Sequence, residues 1–182
     1  MQIRIDKLQG RSCSFEIDET VDAFPSLMTL SEQGVVVFKG VVTGSLAASV
    51  VGDIVRIEGH IAARIVMTCS RCLVAVERLL DVPLNLCYQQ QEPSPEPAGP
   101  DEVELTLSDL ELIPCQGDEL DPRPEIAQEL IMALPQSILC REDCAGLCPV
   151  CGTDLNQNAC RCETPVFHEG LVRLKDFKPE RG

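Results

Sequence analysis

From Val35 to Tyr88, apolar and polar residues alternate with a period of two, in runs rich in β-branched side chains and broken by turn formers. The runs are VVVFKGVVTGSLAASV, then IVRIEGHIAARIVMTC after Gly52-Asp53, then VAVERLLDVPLNLCY after Ser70-Arg71-Cys72-Leu73. This pattern predicts an antiparallel meander of long strands. In the middle run Arg56, Glu58, His60, Ala62 and Arg64 share one face, while Ile57, Gly59, Ile61, Ala63 and Ile65 share the other. One side of the sheet is therefore expected to be wet. The first thirty residues add a strand at Gln2 to Leu8 and a short helix or turn around Val21 to Leu30.

The pattern stops at Gln89 to Pro100, QQQEPSPEPAGP, where four prolines and no large apolar residue predict a linker or long loop. Beyond it Val103, Leu105 and Leu107 alternate as a strand. Asp121-Pro122 then opens a helix that runs through Met132 and stops at Pro135, with Ile126, Leu130 and Ala133 on one apolar stripe. Gly170 to Phe177 reads as a short tail helix. The expected class is α+β: an antiparallel sheet or barrel-like meander, one or two short helices and a cysteine-rich tail. Three parts are expected: residues 1–88 as the β region, 89–100 as linker, and 101–182 as a strand-helix region packed on the first part.

Eleven cysteines in 182 residues change the picture. They are either disulfide staples or thiolate ligands, and the redox compartment decides. Met1 to Gly10 has no apolar leader, and nothing later approaches the roughly 18 apolar residues of a membrane span. The expectation is a cytoplasmic protein with reduced thiols and no membrane contact. Cys13, Cys87 and Cys115 stand alone and are expected to be small buried hydrophobes.

The other eight have ligand spacing. Cys69-Ser-Arg-Cys72 lies between two strands, the setting of a zinc knuckle, and supplies half a tetrahedral site. Cys140, Cys144, Cys148, Cys151, Cys160 and Cys162 crowd the segment from Leu139 to Cys162, with Cys148-Pro-Val-Cys151-Gly152 as its strongest knuckle signal. Eight thiolates suit two structural zinc ions. One partition groups Cys148, Cys151, Cys160 and Cys162 and joins Cys140 and Cys144 to Cys69 and Cys72; its rival pairs Cys69 and Cys72 with Cys148 and Cys151.

Other chemistries fit less well. Cys144-x3-Cys148-x2-Cys151 matches the cluster loop of radical SAM enzymes, but those need several βα units. Neither Cys-x2-Cys begins a helix after a buried strand, as a redox pair of the thioredoxin kind does. Only two histidines are present, His60 and His168, with no phosphate loop, nucleophile elbow or His-Glu-x2-His helix. His60 is expected to be a solvated strand residue, and four-thiolate sites leave no open ligand position. A non-enzyme is expected; the alternatives are a zinc- or redox-dependent enzyme and a general zinc-ribbon interaction module.

These motifs together resemble the YceD family of large ribosomal RNA subunit accumulation proteins. The resemblance is carried by Cys69-Ser-Arg-Cys72-Leu73 after a long strand, the acidic Pro-rich stretch and the helix ending Ala133-Leu134-Pro135. It is carried further by Leu139 through Gly152, Leu155-Asn156 and Cys160-x-Cys162. Its most specific part is Asp143 to Gly152, Asp-Cys-x-Gly-Leu-Cys-Pro-x-Cys-Gly. Pro165 to Leu174 departs from the plainer Asp-Pro-Arg-Leu approach to the tail. The resemblance implies a bacterial, cytoplasmic factor in the synthesis, processing or stability of large-subunit (23S) ribosomal RNA. Only the cysteines carry over, as structural metal ligands.

Charge then bears on partners. The net charge is −14, and the six aromatic residues include no tryptophan, which argues against a base-stacking surface. Twelve acidic residues and one basic residue lie between Glu92 and Glu129, a net −11. The remainder is nearly neutral, so weak, salt-sensitive contact with ribosomal RNA stays open, through Arg56, Arg64, Arg71 and Arg78 or the basic end. The acidic stretch instead suits a basic partner: a ribosomal protein or an rRNA-processing factor.

Overall fold

The computed structural model describes residues 2–8, 12–90 and 112–163. The chain separates into two units, one of Met1–Thr68 with Val76–Gln136, the other of Cys69–Ala75 with the chain from Ser137 onward.

The first unit is built on a five-stranded sheet in chain order: β2 (Cys13–Thr20), β3 (Val36–Val51), β4 (Ile54–Thr68), β5 (Ala75–Gln90) and β6 (Leu112–Cys115). β2, β3 and β4 pair antiparallel, and Arg64–Glu77 with His60–Asp81 across β4 and β5 show those strands also running oppositely. A two-residue Gly52-Asp53 loop closes the β3–β4 hairpin, with Gly52 at the positive φ of 66° that primed turns require.

Alternation decides which face is buried. Ile57, Ile61, Ala63 and Ile65 of β4 meet Val36, Phe38, Val42 and Leu46 of β3 in the core, while Arg56, Glu58, His60 and Arg64 are exposed. A bulge between Lys39 and Val42 inserts two residues rather than one. The even positions of β3 therefore stay on the core side through the irregularity. Gly59 lies opposite Leu46, and a Cβ there would overlap the main-chain carbonyl of Ser45 and crowd Leu46. Glycine at this position lets the two strands approach.

Two helices cover the apolar face. α1 (Pro25–Glu32) buries Leu27, with Phe24 just before it, and α2 (Arg123–Met132) buries Ile126, Ala127 and Leu130. The buried Tyr88 hydroxyl donates to Glu125 at 3.0 Å, tying β5 to α2. Burial and the nearby carboxylates of Glu125 and Asp121 push the Tyr88 phenol far up, so it stays a donor. A smaller pair, β1 (Ile3–Arg4) and β7 (Glu119–Leu120), completes the unit.

Most strands fall where the alternation puts them, and six details differ. Gln2 to Leu8 is a two-residue strand followed by a 3-10 turn at Ile5–Leu8. Cys13–Thr20 is a strand that carries only two large apolar residues, Phe15 and Ile17, among charged ones. β6 joins β5 in parallel, so the sheet is mostly rather than wholly antiparallel; the 21 residues between Gln90 and Leu112 exceed the dozen or so that a crossover needs. Ala133 caps α2 and is exposed, and Ala127 takes its place beside Ile126 and Leu130. Cys13, Cys87 and Cys115 are half-buried rather than buried. Gln89 and Gln90 continue β5. The rest of the 89–100 linker, the strand at Val103 to Leu107, His168 and the helix at Gly170 to Phe177 lie outside the described residues. Among the described residues, no helix is long and apolar enough to cross a membrane.

Candidate metal centres

The second unit holds all eight clustered cysteines, none of them in a disulfide. Cys69-Ser70-Arg71-Cys72 forms a tight turn in which the Leu73 amide donates to the Cys69 carbonyl at 3.0 Å and the Cys69 amide to the Val74 carbonyl at 2.8 Å. The turn aims both sulfurs one way. Cys140 and Cys144 reach the same place from the tail, guided by the Ser70 amide donating to Ile138 and the Leu147 amide donating to Arg71.

The four sulfurs of Cys69, Cys72, Cys140 and Cys144 all lie within 4.8 Å of one another. Cys69 and Cys144 sulfurs are 3.8 Å apart, and those of Cys72 and Cys140 3.5 Å. A tetrahedral zinc ion with Zn–S bonds of about 2.3 Å needs sulfur-to-sulfur edges of about 3.8 Å. Donor set and spacing therefore fit such an ion. Cys148, Cys151, Cys160 and Cys162 make a second group of the same size. The grouping is the one that joins the Cys69 pair to Cys140 and Cys144, not its rival.

Backbone amides prepare each group. The amides of Cys72 and Arg71 bring the Cys69 thiol down to about 6, and the Cys140 amide adds a further bond at 3.4 Å. Its neighbour Cys140 is pushed up to about 12 by the Cys72 side chain and by burial. In the second group Gly152, at a φ of 72°, turns the loop so that its amide donates to the Cys148 carbonyl at 2.9 Å. The amides of Cys151 and Val150 lower the Cys148 thiol. Cys151 comes down to about 6 beside the Thr153 hydroxyl, 3.2 Å away, and the Thr153 amide. The Cys151 side chain holds Cys162 up at about 12. Each group thus offers ready thiolates beside thiols that must lose a proton when an ion enters.

Three further residues build the sites, and cysteine spacing alone does not single them out. Asn156 carries the most contacts. Its Oδ1 accepts from the Ala145 amide and from Arg141, both at 2.8 Å, and its Nδ2 donates to Cys144 Sγ at 3.5 Å. Asp154 fixes that side chain by accepting from Nδ2 at 2.7 Å. Gly146, at a φ of 77°, lies so close to Arg71 that a Cβ would come 3.0 Å from the Arg71 carbonyl oxygen. An Asp-x-Asn turn between two knuckle cysteines is the signal that could have flagged Asn156. His60 is exposed on the wet face of the sheet, 3.4 Å from Asp81, and outside both groups.

Comparisons with known proteins give a family and several relatives. The family model described as large ribosomal RNA subunit accumulation protein YceD matches residues 57–178, about two thirds of the chain. An uncharacterized protein of Mycobacterium leprae (strain TN) is 30% identical over 136 residues, covering 72% of this chain and 57% of the relative. Uncharacterized proteins of Mycobacterium bovis (strain ATCC BAA-935 / AF2122/97) and Mycobacterium tuberculosis (strain ATCC 25618 / H37Rv) are each 32% identical over 106 residues, 58% of this chain and 47% of the relative. The chain spans about half the length of these curated relatives. No solved structure matches it. With a family match from the wet-faced strand β4 through both cysteine groups, the chain belongs to the YceD family of large ribosomal RNA subunit accumulation proteins.

Proposed function

We propose that this protein is a non-catalytic cytoplasmic factor in the synthesis, processing or stability of large-subunit (23S) ribosomal RNA. It acts through a basic ribosomal protein or a processing enzyme, and two structural zinc ions hold its tail. The observation that carries this reading is the family match across both four-cysteine groups. Cys69, Cys72, Cys140 and Cys144 hold one ion, and Cys148, Cys151, Cys160 and Cys162 the other. Zinc supplies four strong bonds to each group and so fixes a segment with little regular secondary structure of its own. Four thiolates fill a tetrahedron, which leaves the ion no place for substrate or water.

Charge supports the partner class. Among the described residues from Asp118 to Glu129 five carboxylates accompany one cation, Arg123, and that cation is already forked onto Asp121. Such a surface repels a phosphate backbone and attracts lysine- and arginine-rich protein.

The test is depletion of the protein with two readouts: the ratio of large- to small-subunit rRNA, and crosslinking with sequencing and mass spectrometry of what co-purifies. A lowered ratio with a basic ribosomal protein or processing enzyme recovered supports the reading. An unchanged ratio overturns it. Recovery of rRNA crosslinked directly to this chain, with no protein partner, replaces the indirect route by direct contact.

A further inference from the structure

The two cysteine groups share a ligand set but not their shielding. In the first, Cys69, Cys72 and Cys144 are buried and only Cys140 is half-buried. Cys69 is fully enclosed, and Asn156 and the Cys140 amide cover two of the sulfurs. In the second, Cys148 alone is buried; Cys160 is half-buried, and Cys151 and Cys162 are exposed. Beyond its own group, Cys151 Sγ is met by the small Thr153 hydroxyl at 3.2 Å and the Thr153 amide. Val150, between the two knuckle cysteines, is itself exposed.

Oxidation of a thiolate requires the oxidant to reach the sulfur, so exposure selects the site. We infer that Cys151 and Cys162 are a peroxide-sensitive modification site, and that their group gives up its metal at oxidant levels the other group withstands. The inference rests on reading both groups as zinc sites.

The chemistry balances with peroxide as oxidant. One exposed thiolate attacks a peroxide oxygen, the O–O bond breaks, and with one proton from solvent the products are a sulfenic acid and water. The second thiolate, within 4.8 Å, attacks that sulfur; a disulfide forms and, with a second proton, another water leaves. The two sulfurs have lost two electrons and the peroxide has gained them. Cys148 and Cys160 remain as two ligands where four had been, too few to retain zinc against competing thiols. Thiol reductant and fresh zinc reverse the change.

The test uses the full chain with its metal. Native mass spectrometry first counts zinc; peroxide is then titrated while a chromophoric chelator reports released ions, and alkylation with peptide mapping shows which thiols are lost. One of two ions should leave first, with Cys151 and Cys162 joined. Cys69, Cys72, Cys140 and Cys144 should stay alkylatable at least about ten-fold longer. Release of both ions at one rate, or early loss of Cys69, Cys72 or Cys144, overturns the inference while leaving two zinc sites intact as a reading. Fewer than two ions before any peroxide is added overturns the zinc reading itself, and the inference with it.

Discussion

The guanidinium of Arg71 donates to the main-chain carbonyl of Cys144 at 2.8 Å. Arg71 sits between the two cysteines of the first knuckle, and Cys144 comes from the tail, so this one bond joins both halves of a four-cysteine group. Groups that orient ligands in this way are typically worth 10- to 100-fold in metal affinity. Arg71→Ala should therefore raise zinc loss from the first group by about ten-fold or more, with the second group unchanged. Chelator competition followed by native mass spectrometry checks it.

Asn156 acts on the same group from the other side, through the Cys144 sulfur and the Ala145 amide. Asn156→Ala removes a donor to that sulfur and leaves the amide without its acceptor. The expected cost is about 1–3 kcal/mol of stability in the tail, seen as faster amide exchange across residues 137–163 while the sheet is unaffected. Asn156→Asp, which keeps the acceptor and places a carboxylate beside a thiolate, should weaken metal retention more than it weakens the fold.

Gly59 is a prediction about the sheet alone. Any side chain at this position meets the Ser45 main chain and Leu46. Gly59→Ala should destabilise the first unit by about 2–4 kcal/mol through forced separation of β3 and β4. Urea denaturation gives the value, and zinc content should stay at its original level.

Acid should loosen the metal-free tail, and the sign follows from the thiols. Cys69 and Cys151, brought down to about 6 by their hydrogen-bond donors, contribute stability that is complete above the ordinary thiol range and disappears as pH falls through 6. Cys140 and Cys162, held up at about 12, act the other way: ionisation of the unfolded chain above the ordinary range of about 9 favours unfolding. The metal-free tail is then most stable near pH 8–9 and weaker on both sides. Exchange protection measured from pH 5 to 10 checks the shape. With zinc present, uptake should release protons, visible as a buffer-dependent heat.

How much of this was legible in the residues depended on how strongly each segment was patterned. β4 carries many β-branched residues and β5 mostly leucines, both at period two, and their buried faces match the alternation. β2 was missed because Glu16, Asp18 and Glu19 surround its two large apolar residues; it is held by its register with β3, from Cys13 opposite Ala48 to Thr20 opposite Val41. Pairing of that kind is tertiary and leaves little local trace. The parallel β6 was hidden for a related reason, since four residues cannot announce a direction. α2 announced itself by Pro122 and Pro124 at its start, yet Ala133 fell past its end because the stripe was extended one turn too far. Cysteine spacing indicated which thiols could meet, but the supports around them are hydrogen bonds from Arg71 and Asn156 and the close approach of Gly146 to the Arg71 carbonyl. Spacing of one residue type carries no information about those.

The two cysteine groups enclose very different lengths of chain. Cys69 and Cys144 are 75 residues apart in sequence, with β5, β6 and α2 between them, whereas the second group spans only Cys148 to Cys162. Metal at the first group would act as a cross-link that shrinks the unfolded ensemble of nearly half the protein; metal at the second would restrain one short loop. From loop length alone the difference is about 1.5 kcal/mol in favour of the first. With zinc in both groups, loss of the second ion would release one short loop, while loss of the first would remove a long-range cross-link around β5, β6 and α2, which the sheet and its core still hold.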